Sequence, residues 1–179
     1  MNRFLICLSI MIFMSVACSK KESTNTEVVS VADILPRDNE ISGWLRTGDS
    51  WVASSSGELN QYINGEEPDY TRHGFVEGAM EKYEGTVLSN PATVEVRIFD
   101  QASADNARAL FAELITRLVN PIDWSSGAGE EAKIERFAIS QKILLWKSKY
   151  FVSLTIDSGL DEALNVLQTF ANNVDTKIP

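Results

Sequence analysis

The chain has 179 residues and a formal net charge of −9, from 25 acidic and 16 basic side chains, with one histidine and two cysteines. An acidic balance disfavours nucleic acid, which needs a basic stripe, and disfavours flat docking of the body on anionic lipid. A single histidine and so few thiols leave a tetrahedral zinc site short of ligands.

The first 17 residues have three zones. Arg3 gives a positive start, Phe4 to Met14 is apolar apart from Ser9, and Ser15-Val16-Ala17 lead into Cys18. The apolar run is about 11 residues, roughly half of what a membrane-spanning helix needs. Residues 1–17 therefore read as a signal peptide removed on export. After Cys18 the composition turns polar through Ser30, with no packing pattern. Residues 18–33 are expected to form a tether, reaching roughly 20 Å as a coil.

Ser15-Val16-Ala17-Cys18 resembles a bacterial lipobox, with serine where leucine is usual. The resemblance implies that the Cys18 thiol is diacylated and that the chain is cut before it. Two or more acyl chains make anchoring stable. Plain secretory cleavage after Ala17 is the alternative. Ser19 follows the cysteine where aspartate would signal inner-membrane retention, so the outer membrane is favoured in a cell that has two. Cys7 leaves with the signal and Cys18 is lipidated, so the body is expected to have no disulfide to lean on.

The rest is expected to be one globular domain, residues 34–179. Trp44 and Trp51 flank a turn-rich Arg46–Ser50. Ser55 and Glu58 have capping-box spacing and open a short helix through Leu59, Tyr62 and Ile63, which Asn64-Gly65 ends. Strands follow at about 75–85 and 92–100, with a turn between. In Val94-Glu95-Val96-Arg97-Ile98 the alternation is clean, so one face is wet. Residues 103–119 form a helix capped by Ser103, with Ala107, Leu110, Phe111, Leu114, Ile115 and Leu118 on one stripe. A loop covers 120–131. One strand run holds Ile134, Phe137 and Ile139. Ile143–Trp146 and Tyr150–Ile156 form a hairpin. A last helix, capped by Asp157 or Ser158, carries Leu160, Ala163, Leu164, Leu167, Phe170, Ala171 and Val174. The fold class is α+β: an antiparallel sheet of five to six strands covered by two long helices.

Chemistry is sparse. Glu66, Glu67 and Asp69 lack the spacing of a calcium loop and read as a solvated acidic turn. There is no G-x-S-x-G elbow, no phosphate-binding loop and no dinucleotide fingerprint. No catalytic residue, metal ligand or cofactor is assigned. A hydrolase using His73 or a carboxylate pair is the remote alternative. The densest unusual stretch places Tyr62, Asn64, Tyr70, His73 and Phe75 together as a candidate binding rim, since aromatics with polar tips suit contact surfaces. The competing reading is a structural corner, with Asn64 capping a helix and Tyr62 and Phe75 filling core.

Tyr62-Ile63-Asn64-Gly65, then Tyr70, then Gly74-Phe75, resembles the Y-I-N-G…Y…G-F signature of an uncharacterised family of exported bacterial proteins and lipoproteins. Gly43-Trp44 before it, the strand Val94–Asp100 and the alanine-rich Ala104–Ala107 after it are similar too. Glu66-Glu67-Pro68 replace the small residues usual after N-G. The resemblance implies one exported α+β domain and adds no catalytic residue. The expectation is a lipid-anchored cell-envelope protein that binds a protein or a small molecule without catalysis, touches the membrane through Cys18 and takes no nucleic acid. A structural envelope lipoprotein is the alternative.

Overall fold

The computed structural model describes residues 29–125 and 127–179. The expected signal peptide, the lipidated Cys18 and most of the tether lie outside the described residues. In chain order the elements are α1 (Val31–Ile34), β1 (Leu45–Ala53), α2 (Ser56–Tyr62), α3 (Glu67–Thr71), β2 (Glu77–Val87), β3 (Asn90–Asp100), α4 (Ala104–Ile115), β4 (Ile122–Asp123), β5 (Glu131–Arg136), β6 (Gln141–Lys147), β7 (Tyr150–Ile156) and α5 (Asp161–Lys177). The strands form one sheet in the order β1-β2-β3-β7-β6-β5-β4, and every neighbouring pair is antiparallel.

The α+β class stands, but the described sheet has seven strands rather than five to six, and three short helices join the two long ones. The extra strands come from segments read as turn or loop. β1 runs through Thr47-Gly48-Asp49 because its register shifts between Arg46 and Ser50, and Gly48 takes φ 83. A bulge of this kind absorbs residues that would otherwise end a strand. β4 is two residues long and pairs Ile122 with Ile134. Two expectations are corrected at element ends. β5 stops at Arg136, and the Phe137 amide donates to the Ser140 carbonyl, so Phe137 and Ile139 sit in an exposed turn and not in a strand. α5 is capped by Leu160 without a side-chain bond; the Asp157 carboxylate instead accepts the Thr93 amide at 2.6 Å.

The sheet separates two apolar clusters by strand alternation. Val94, Val96, Ile98, Ile143, Leu145, Val152, Leu154 and Ile156 face α1 and α5. There Phe170 of α5 meets Trp44 edge-on at 5.5 Å and Tyr83 at 5.0 Å. α1 belongs to this core, because Val31 and Ile34 are fully buried. The Glu77 carboxylate accepts the Ser30 hydroxyl at 3.0 Å and the Val31 amide at 3.1 Å. Residues 29–33, part of the segment expected to be tether, thus pack on this core. On the other face Trp51, Met80, Phe99, Leu144, Trp146 and Phe151 pack with α2, α3 and α4. These three helices cover only one end of that face.

Candidate functional site

Where helix cover ends, the same alternation that buries Phe99 and Phe151 brings polar residues to the surface. Arg97, Glu95 and Thr93 follow on β3, and Ser153 and Thr155 on β7. Cross-strand pairing aligns them into a row. Lys82 on β2 is opposite Glu95, Glu95 is opposite Thr155, Thr155 is opposite Lys142 on β6, and Lys142 is opposite Glu135 on β5. A cavity of about 350 Å³ lies over this row, walled by Glu66, Asp69 and Tyr70 from the α3 region and by Leu114, Arg117 and Leu118 from the end of α4. A shallower depression of about 600 Å³ continues it over Asp49, Lys82 and Glu84, sharing Glu95 and Thr155. Together they make a polar groove across the sheet.

The walls have local causes. α3 starts at a proline near its first turn, a position where the missing amide costs nothing. It seats Tyr70 against Phe99, ring centroids 4.1 Å apart. α4 starts at Ser103, whose hydroxyl accepts the Asn106 amide. It ends in tightened turns: the Thr116, Arg117 and Leu118 amides each donate three residues back. Asn120 then takes φ 55. Between the tightened turns and Asn120, the Val119 amide donates to the Glu135 carboxylate.

Most groove charges are matched inside the chain. Arg97 Nε lies 2.7 Å from Glu95, and its guanidinium is 3.7 Å from Glu66. Arg117 pairs with Asp69 and, at 2.9 Å, with Glu113. The hydrogen bond from Arg117 holds the Asp69 carboxyl below the usual carboxylate range, against the opposing effect of burial. Lys82 pairs with Asp49. Burial pushes the Tyr70 hydroxyl well above its ordinary value, so it stays protonated.

The five residues expected to form a rim do not share one surface. Tyr62 is half exposed and stacks flat on Trp51 at 5.1 Å. Asn64 is exposed beside Gly65, which takes φ 84 between α2 and α3. Tyr70 is buried and reaches the groove wall. Phe75 is half-buried, its ring 6.5 Å from Phe99. His73 Nε2 is 2.8 Å from Glu113, which Arg72 also holds. That arrangement ties α3 to α4 outside the groove. Of the rim only Tyr70 lines the cavity; Glu95, Arg97, Glu135, Lys142, Ser153 and Thr155 were not singled out. The wet face read from Val94–Ile98 was their one signal.

Among the described residues no cluster of three or more acidic, histidine or cysteine side chains is placed to hold a metal ion. No helix among them is long and apolar enough to cross a membrane.

No protein-family model and no characterised protein sequence matches the chain. Among solved structures, the fold is similar to the extracellular domain of PknH from Mycobacterium tuberculosis, with a TM-score of 0.51 and 13% identity over 82% of this chain and 95% of that one. At that identity the likeness is one of fold.

Proposed function

We propose that this chain is an exported, lipid-anchored module of the cell envelope that binds a partner without catalysis, and that the polar groove on the half-covered face of the sheet is its binding site. The observation that carries this reading is the groove itself. It is concave, its volume lies in the range of small-ligand sites, and its polar groups converge from six strands. Ser153 and Thr155 line it without His73, which is engaged by Glu113 elsewhere. Export is supported by the signal-like residues 1–17, by the lipobox-like Ser15–Cys18 and by a fold similar to an extracellular domain. Diacylation of Cys18 would hold the module on the membrane, the outer one where there are two.

Anchor and groove are tested separately. Cells fed a palmitate analogue should yield labelled wild-type protein in the membrane fraction and unlabelled Cys18→Ala protein in the soluble fraction. A Cys18→Ala protein that stays in the membrane would sink the anchor. For the groove, the thermal stability of the full chain would be followed in envelope extracts. A component that raises the midpoint of wild type but not of Thr155→Tyr is the expected result; equal shifts in both would move the site elsewhere.

A further inference from the structure

Around the groove, arginines and lysines are closed on acidic partners, with one exception. Lys142 forms no ion pair among the described residues, although Glu135 faces it directly across the β5–β6 ladder. Glu135 is only 3% exposed, and the partner it has is the Val119 amide, on Oε1. A carboxylate withdrawn from water without a cation is unfavourable. A lysine paired opposite it in the ladder, lining the same cavity and not closing on it, leaves both charges free to engage something else. Next to Lys142 in the same row, Thr155 lines the cavity, and Ser153 does so one step nearer the helices.

Resting on the groove as the binding site, we propose that its ligand is a small zwitterion of the amino-acid class. Its carboxylate sits on Lys142 with the Thr155 hydroxyl donating to it, and its ammonium sits on Glu135. The pairing decides against simpler chemistries. A phosphate on Lys142 would face the Glu135 carboxylate as a like charge, and a plain amine on Glu135 would face Lys142. Sugars favour an open aromatic face, and the rings of Tyr70 and Phe151 are buried against Phe99. A ligand bearing an ammonium and a carboxylate on one carbon satisfies both partners at once.

The test is calorimetric titration of the detergent-solubilised full-length protein with the free L-amino acids one at a time, and with inorganic phosphate, ethylamine and glucose as probes. At least one amino acid should bind saturably. Glu135→Gln, which keeps an acceptor for the Val119 amide, and Lys142→Met should each weaken it roughly tenfold to a hundredfold, as loss of a charged hydrogen bond does. The N-acetyl form of the same amino acid should bind wild type more weakly and be indifferent to Glu135→Gln. Should Glu135→Gln fail to fold, Lys142→Met and the N-acetyl comparison still decide the matter. Amino-acid binding untouched by both variants overturns the inference. If phosphate, ethylamine or glucose binds and no amino acid does, the ligand class is wrong while the groove stands. If no probe binds and Thr155→Tyr changes nothing in envelope extracts, the groove falls and this inference with it.

Discussion

Gly85 faces the indole of Trp44, and a Cβ at that position would stand 2.5 Å from the ring. Trp44 cannot retreat, because Phe170 abuts it edge-on. Gly85→Ala should therefore destabilise the fold by about 1–3 kcal/mol, the usual cost of overpacking, measured as a lower urea midpoint. A second residue-scale effect is electrostatic. Burial pushes the Glu40 carboxyl up, but the Arg37 amide, Lys177 and Asn173 together hold it down to about 2. A depressed folded value adds stability that is present above the ordinary value of 4.5 and is lost as pH falls from there towards 2. Glu40→Gln should flatten the stability profile in that window; an unchanged acid limb would mean that these contacts are not made in solution.

At the scale of elements, α5 is held to the sheet by one ring more than any other. Phe170 is fully buried and touches both Trp44 and Tyr83. Phe170→Ala should cost about 3–5 kcal/mol, and chemical denaturation would show it. α4 and α5 were legible in the sequence because a helix writes its stripe within a dozen neighbouring residues. β2, β3, β6 and β7 were legible for a similar reason, from alternation and turn residues. β1 was hidden because its bulge carries Thr47-Gly48-Asp49, whose composition reads as a turn. The apolar Phe137 and Ile139 misled in the opposite sense: they look like strand and lie in the turn after it. The groove was the least legible part. Glu95, Lys142 and Thr155 lie on three strands, and each taken alone is an ordinary solvent-facing residue. Only the antiparallel registers set them side by side. The rim is not one open surface because Tyr70 is buried against Phe99, whereas Tyr62, stacked on Trp51 of the same cluster, stays half exposed.

Across the whole molecule, the two faces of one sheet divide the work. One is fully covered by α1 and α5 and supplies the larger core; the other is half covered and leaves the groove. The N-terminal segment enters on the covered face, where Glu77 takes the Ser30 hydroxyl and the Val31 amide. Removing those acceptors in Glu77→Ala should cost about 1–2 kcal/mol. It should also speed amide exchange at residues 30–35 while leaving β3 and β7 protected; uniform loss of protection would show that the turn is not a separate unit.

Mechanical load entering at Val29 is where this arrangement matters. A tug arriving at Val29 is borne first by the Glu77 contacts and by the seating of Val31 and Ile34, and only afterwards by the Pro36 carbonyl held by the Tyr83 hydroxyl and by β1, which is paired to β2. The seam therefore works as a mechanical fuse. When it yields, residues 29–35 run out by roughly 10 Å, and the slack is taken up before any strand that floors the groove is disturbed.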